Sequence, residues 1–281
     1  MPTRTISFTV DVEDHHAGMP GPQRYQAATR GLADFLAARG IRGTFFVVGD
    51  LAGEAAGLIR ALAAAGHEIG CHGAHHRPLA AEDPARLGQA LAAAKARLEQ
   101  AAGQPVAGFR APYFSLTPAS RWAVGALAAA GFTYSSSVLP GRGPGHGFPG
   151  APRTPFLWPE GLLEIPCPVL RLGPFALPVL GGTTMRYLPP WDFAWMRRAV
   201  ARQGVGERGS EPALWTYCHP YDIDTGEPFA RLPGLSLASS VALWANRGAT
   251  LRRWRTLAQN PAPPLAERAG TLRAAAAPWP G

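Results

Sequence analysis

Cysteine is scarce and lysine almost missing. The 281 residues hold three cysteines, Cys71, Cys167 and Cys218, far apart, odd in number and without a CxxC spacing. Neither a disulfide framework nor a cysteine zinc site is implied, and the compartment expected from such usage is the reducing cytoplasm. No apolar run is long enough to span a bilayer, and the N-terminus lacks the basic-then-apolar pattern of a signal peptide. Secretion and membrane spanning are thereby disfavoured, leaving peripheral contact as the one membrane role in view. With Lys95 the single lysine, arginine supplies the formal charge of +8, most densely in Arg247 to Arg255. Clustered arginine attracts phosphate. Here it accompanies a bias toward Ala, Gly, Pro and Arg along the whole chain and no nucleic-acid motif, so a nucleic-acid partner is not expected.

What is present is an alternation of strand and helix signals. Thr5 to Val10 alternates and is β-branched, and Thr44 to Val48 is an apolar run of the kind buried on both faces of a sheet. Helices are expected from Tyr25 to Arg39 before Gly40 and from Glu54 to Ala65 before Gly66. Two more are expected from the Asp83-Pro84 cap to about Ala102 and from Thr117-Pro118 to Ala130. Short strands are read at 67–71, 108–110, 132–136, 162–165 and 212–218, with a Gly- and Pro-rich loop over 18–23, an irregular loop over 140–160 and a helix over 190–202. Residues 236–258 repeat at helical spacing, and the proline-rich end after Asn260 is expected to fray. The β-α repetition argues for one α/β unit over 1–281, built on a parallel sheet or barrel, with a C-terminal extension from about 236.

The first strand runs into Asp11-Val-Glu-Asp-His-His16, three acids and two histidines where α/β folds place ligands and metals. The second informative stretch is Gly66-His-Glu-Ile-Gly-Cys-His-Gly-Ala-His-His76. His72 and His76 are four apart, so on a helical turn they would share a side and one metal ion; His75 is the competing second ligand. A carboxylate from Asp14 would complete a two-histidine, one-carboxylate face with positions open to water and substrate.

Together with Gly108-Phe-Arg-Ala-Pro-Tyr113, Tyr134-x-Ser-Ser-Val138 and His219-Pro220, these motifs resemble the polysaccharide deacetylases, the NodB-type carbohydrate esterases of family 4. The later Glu164-Ile-Pro, Gly181-Gly182, Arg186-Tyr-Leu-Pro189 and His219-Pro-Tyr-Asp222 resemble the exopolysaccharide-associated subgroup that carries an extra C-terminal segment. The resemblance implies a distorted (β/α)7 barrel and metal-dependent removal of an N-acetyl group from an amino sugar or glycan precursor. It implies a divalent metal on Asp14, His72 and His76, zinc first, with cobalt, nickel, manganese or iron as alternatives. Asp11 would be the general base, Arg110 its partner, the Tyr113 backbone N–H an oxyanion donor and His219 the general acid. Tyr113 and Trp191 could equally be packing aromatics.

The chain departs from the family pattern in two places. Many members carry adjacent aspartates in the first motif, whereas the acids here are Asp11, Glu13 and Asp14, so Glu13 competes with Asp14 as ligand. The fourth motif often supplies an aspartate that tunes the catalytic histidine; Tyr134 to Leu139 has none, and Asp222 or Glu164 are the replacements at hand. A ureide or cyclic-amide hydrolase on the same barrel and a non-catalytic glycan-binding protein are the other readings.

Overall fold

The computed structural model describes residues 5–15, 23–142, 146–172, 175–188, 193–203, 213–232 and 234–281. The expected loop over 18–23 and the expected packing role of Trp191 fall largely or wholly outside them. Strand β1 (Ser7–Val12) leads to helix α1 (Tyr25–Ala37), β2 (Thr44–Val47) to α2 (Ala56–Ala64), β3 (Glu68–Cys71) to α3 (Pro84–Ala102) and β4 (Gly108–Phe109) to α4 (Ala123–Ala129). Next come β5 (Tyr134–Ser135), β6 (Phe156–Leu157), β7 (Leu163–Glu164) and a hairpin of β8 (Leu170–Leu172) and β9 (Phe175–Leu177). Helices α5 (Gly182–Tyr187) and α6 (Phe193–Gln203), strand β10 (Trp215–Cys218), helices α7 (Leu237–Trp244), α8 (Ala249–Leu257) and α9 (Leu265–Ala275), and strand β11 (Ala277–Pro278) complete the chain.

The main sheet runs β10-β1-β2-β3-β4-β5-β7-β6-β11, and every pairing from β10 to β7 is parallel. Seven parallel strands with covering helices make a (β/α)7-type barrel. Its closure is distorted: β10 and β7 are the ends of the parallel series, and Trp215 Nε1 reaches across to the Pro166 carbonyl at 3.1 Å. Because side chains alternate along each strand, the barrel has two cores. Phe8, Val10, Phe45, Val47, Ile69 and Phe109 face outward against Leu32, Leu36, Ile59, Leu91, Leu98 and Leu127 of the helices. Phe46, Tyr134, Trp215 and Tyr217 fill the interior. Glycine makes room for them, since a Cβ at Gly108 would lie 2.2 Å from the Tyr134 ring and one at Gly70 2.5 Å from the Phe46 ring.

The end of the chain corrects the expectation of fraying. α9 closes the barrel at the N-terminal ends of the strands, where Leu265 is fully buried among the interior residues. The Ala266 N–H donates to Glu68 Oε2 at 2.9 Å, beside donors from Thr44 Oγ1 at 2.7 Å and Tyr134 Oη at 2.6 Å. Burying Leu265 alone is worth about 1.5–3 kcal/mol, enough to hold a short helix that propensity would not. β11 then pairs with β6, a strand inside the stretch expected to be irregular loop. The arginine cluster also turns inward: buried Arg247 pairs with Glu227, and Arg253 donates to the Met185 and Leu188 carbonyls.

Candidate active site

Alternation on β1 sends Thr9, Asp11 and, just past its end, Glu13 into the barrel mouth. Asp11 meets Arg110, which follows β4, with Arg110 Nη1 2.7 Å from Asp11 Oδ1. Arg110 is wholly buried and four of its five donors are engaged: Nη1 also reaches Thr9 Oγ1 at 2.8 Å, Nε the Ser136 carbonyl at 3.2 Å and Nη2 the Ser136 hydroxyl at 3.2 Å. Its guanidinium lies 4.2 Å from the ring centres of both Phe46 and Trp215. A cation so enclosed fixes the position of the carboxylate it faces.

Glu13, His72 and His76 form the second group, with one ligand atom from each lying within 4.8 Å of the others. His72 Nδ1 donates to the Arg110 carbonyl at 3.0 Å, and its Nε2 faces Glu13 Oε2, 3.7 Å away. His76 Nε2 lies against the Glu13 carboxylate, while its Nδ1 faces the Tyr113 hydroxyl at 3.1 Å. The two imidazoles meet without the helical turn expected from their spacing. His72 directly follows β3, and the chain bends back after Gly73, whose φ of 85° suits glycine. His75 points elsewhere, its Nδ1 2.7 Å from Asp50.

The carboxylate facing the two imidazoles is Glu13, which corrects the expectation of Asp14. The reason is strand parity: residues 9, 11 and 13 share the inward side and 14 does not. Asp14 lines a small pocket with His15, Arg24, Tyr25, Tyr221, Asp224 and Glu227. Burial raises the Glu13 carboxyl, but His76, His219 and His72 outweigh it and hold the group well below the usual carboxylate range.

His219 enters from the end of β10. Asp222 Oδ2 accepts from its backbone N–H at 2.8 Å and lies 2.9 Å from its Nδ1, while Arg186 Nε stands 3.2 Å from Asp222 Oδ1. Of the two acids considered for tuning this histidine, Asp222 is therefore in place. Glu164 instead accepts from the Ser137 and Val138 N–H groups and the Trp158 indole. Burial lowers the His219 imidazole, but Glu13 and Asp222 outweigh it and raise it to about 9. The Tyr221 ring stacks on it, centres 4.7 Å apart and planes 5° from parallel. Sequence reasoning missed Tyr221, Thr9 and Arg186 as contributors to this site. Arg186 stood within a quoted motif, and an arginine among apolar residues was its available signal.

Tyr113 sits at the rim on a turn with φ 59°, and Phe114 follows at φ 49°, a left-handed pair of non-glycine residues that costs about 1–3 kcal/mol each. His67 stays outside the group: burial and Arg42 push its imidazole down to about 4, and its Nδ1 accepts from the Gly43 N–H. The three cysteines are buried and unpaired with one another, and burial pushes the Cys71 thiol up to about 12.

Residues 1–134 match the family profile described as polysaccharide deacetylase, and residues 136–262 match one described as domain of unknown function (DUF3473). No curated protein matches. Among solved structures, a Mycobacterium smegmatis protein described provisionally as a polysaccharide deacetylase aligns at TM-score 0.63 and 21% identity, over 97% of this chain and 91% of its own. Puue allantoinase aligns at TM-score 0.56 and 18% identity, over 90% and 83%. At these identities the two support the fold. Asp11, Glu13, His72, His76, Arg110 and Tyr113 fall in the first matched segment, and Arg186, His219 and Asp222 in the second, whose β7 and β10 complete the barrel. The first 134 residues of this chain belong to the polysaccharide deacetylase family, and residues 136–262 to the domain of unknown function that follows it.

Proposed function

We propose that this chain is a metal-dependent N-deacetylase of an amino sugar in a glycan or glycan precursor. One observation carries the reading: a Glu-His-His group, a carboxylate held by a buried arginine and a histidine held by an aspartate converge at the same end of the barrel.

The residues fit a divalent cation. His76 Nε2 is buried and, apart from its contact with Glu13, makes no hydrogen bond, and the Glu13 carboxylate is kept charged. Two imidazoles and one carboxylate are the donors that suit zinc and its neighbours. Held by Glu13, His72 and His76, such an ion would polarise an acetyl carbonyl and acidify a water. Asp11, held in place by Arg110, takes the proton of the attacking water at a carboxylate oxygen. The Tyr113 backbone N–H donates to the oxyanion. His219, protonated at neutral pH and oriented by Asp222 through Nδ1, delivers a proton from Nε2 to the departing amine nitrogen.

The test is acetate release from a panel of N-acetylhexosamine oligosaccharides and carrier-linked N-acetyl sugars, with added zinc or chelator. The proposal expects release that chelator abolishes and that Asp11→Asn removes. Turnover of ureides with none of the sugars would overturn it in favour of another C–N hydrolase, and sugar binding without turnover in favour of a binding protein.

A further inference from the structure

The β8–β9 hairpin has two chemically opposite faces. Its register pairs Leu170 with Leu177 and Arg171 with Ala176, so strand alternation puts Leu170, Leu172 and Leu177 on one face and Arg171 and Ala176 on the other. The apolar face forms a groove of about 480 Å³ with α6, floored by Leu170, Val179 and Met196. Its rim is bare: Leu172 is 51% exposed, Leu177 38% and Trp195 54%. The other face lines a cavity of about 250 Å³ in which Arg142, Arg153 and Arg171 are the charged residues.

The surroundings carry the same sign. On α6, Trp195, Arg198 and Arg202 are all exposed and fall at helical spacing along one side. Helix α8, packed against α6, adds exposed Arg252 and Arg255 and no acid. From Pro166 to Gln203 the sequence has five arginines, Arg171, Arg186, Arg197, Arg198 and Arg202, against the one acid Asp192. Exposed leucine and tryptophan within a field of arginine is the composition of a lipid-water interface rather than of an ordinary wetted face. Self-association through this face would bring the arginines of two copies together, which charge repulsion opposes.

We propose that the β8–β9 hairpin and α6 form a peripheral docking surface for an anionic lipid bilayer. Leu172, Leu177 and Trp195 enter the headgroup boundary, and Arg198 and Arg202 meet lipid phosphates. The surface shares no residue with the catalytic group, and its test does not depend on the substrate of that site.

Co-sedimentation of the full chain is measured with vesicles of phosphatidylcholine and phosphatidylglycerol in equal parts, and with phosphatidylcholine alone, at low and high salt. The parent binds the anionic vesicles, more weakly as salt rises, and leaves the neutral ones. Leu172→Ser with Trp195→Ser reduces binding about tenfold or more. Arg198→Gln with Arg202→Gln reduces it about fivefold per arginine, and stays informative if the apolar pair disturbs folding. Arg30→Gln with Arg60→Gln, exposed on α1 and α2, leaves binding unchanged. Three results overturn the proposal: no binding by the parent, equal losses in the distant arginine pair, or a parent dimer that Leu172→Ser with Trp195→Ser renders monomeric while vesicle binding is absent.

Discussion

Replacing Arg110 by methionine keeps much of the side-chain volume and removes the charge that faces Asp11. The Asp11 carboxylate then remains buried without its partner at 2.7 Å. Breaking one side of a buried pair costs about 3–5 kcal/mol, because the remaining charge is neither solvated nor compensated. Loss of the cation's position over Phe46 and Trp215, in a desolvated setting, places the total toward the upper end. Asp11→Asn alone leaves a buried guanidinium facing neutral acceptors, among them Thr9 and Ser136, and is costly for the converse reason. The double variant removes both charges and should be less destabilised than the sum of the singles by about 2–3 kcal/mol. Urea unfolding at neutral pH, followed by tryptophan fluorescence, measures the cycle. Single costs below about 1 kcal/mol, or additivity within about 0.5 kcal/mol, would refute the view that this pair is a desolvated, mutually dependent unit.

Two further outcomes follow from the packing and the charges. Gly108→Ala places a methyl 2.2 Å from a Tyr134 ring that is pinned by its bond to Glu68, so thermal or urea unfolding should show a loss of about 1–3 kcal/mol or more, and an unchanged midpoint would contradict the filled interior. In metal-free protein the raised His219 imidazole contributes stability that is complete below its ordinary 6.5 and is lost as pH rises through about 9. Asp222→Asn removes one of the anions responsible, so the imidazole should titrate at lower pH in an NMR titration and the alkaline loss of stability should begin earlier; an identical titration in both proteins would refute the pairing.

Much of this arrangement was legible from period and spacing. Alternation over Thr5 to Val10 identified β1, and the β-α rhythm through Ala130 identified the helices that cover the sheet. The same alternation carried past Val10 points to Glu13, because strand geometry continues to Val12 and keeps odd residues inside. The choice between Glu13 and Asp14 was thus a question of where the strand stops, which propensity determines poorly. The i, i+4 spacing of His72 and His76 brought the right pair together for a different backbone reason, the reversal at Gly73. Asp222 was visible three residues from His219, whereas Arg186 reaches it only through tertiary folding. The proline-rich tail misled because its order comes from the barrel floor, where Thr44 Oγ1 and Glu68 Oε2 accept from the Leu265 and Ala266 N–H groups at the start of α9. Likewise the clustered arginines from 247 to 255 show no inward role in the sequence until Arg247, just before α8, and Arg253, on it, are seen clamping carbonyls and Glu227 inside the fold.

The central claim is that Glu13, with His72 and His76, holds a divalent metal. The direct measurement is zinc bound per chain, by elemental analysis after equilibration with buffered zinc, in the parent and in Glu13→Ala and Asp14→Ala. The account predicts that Glu13→Ala loses the ion while Asp14→Ala keeps the parental stoichiometry. Retention by Glu13→Ala together with loss in Asp14→Ala would contradict it.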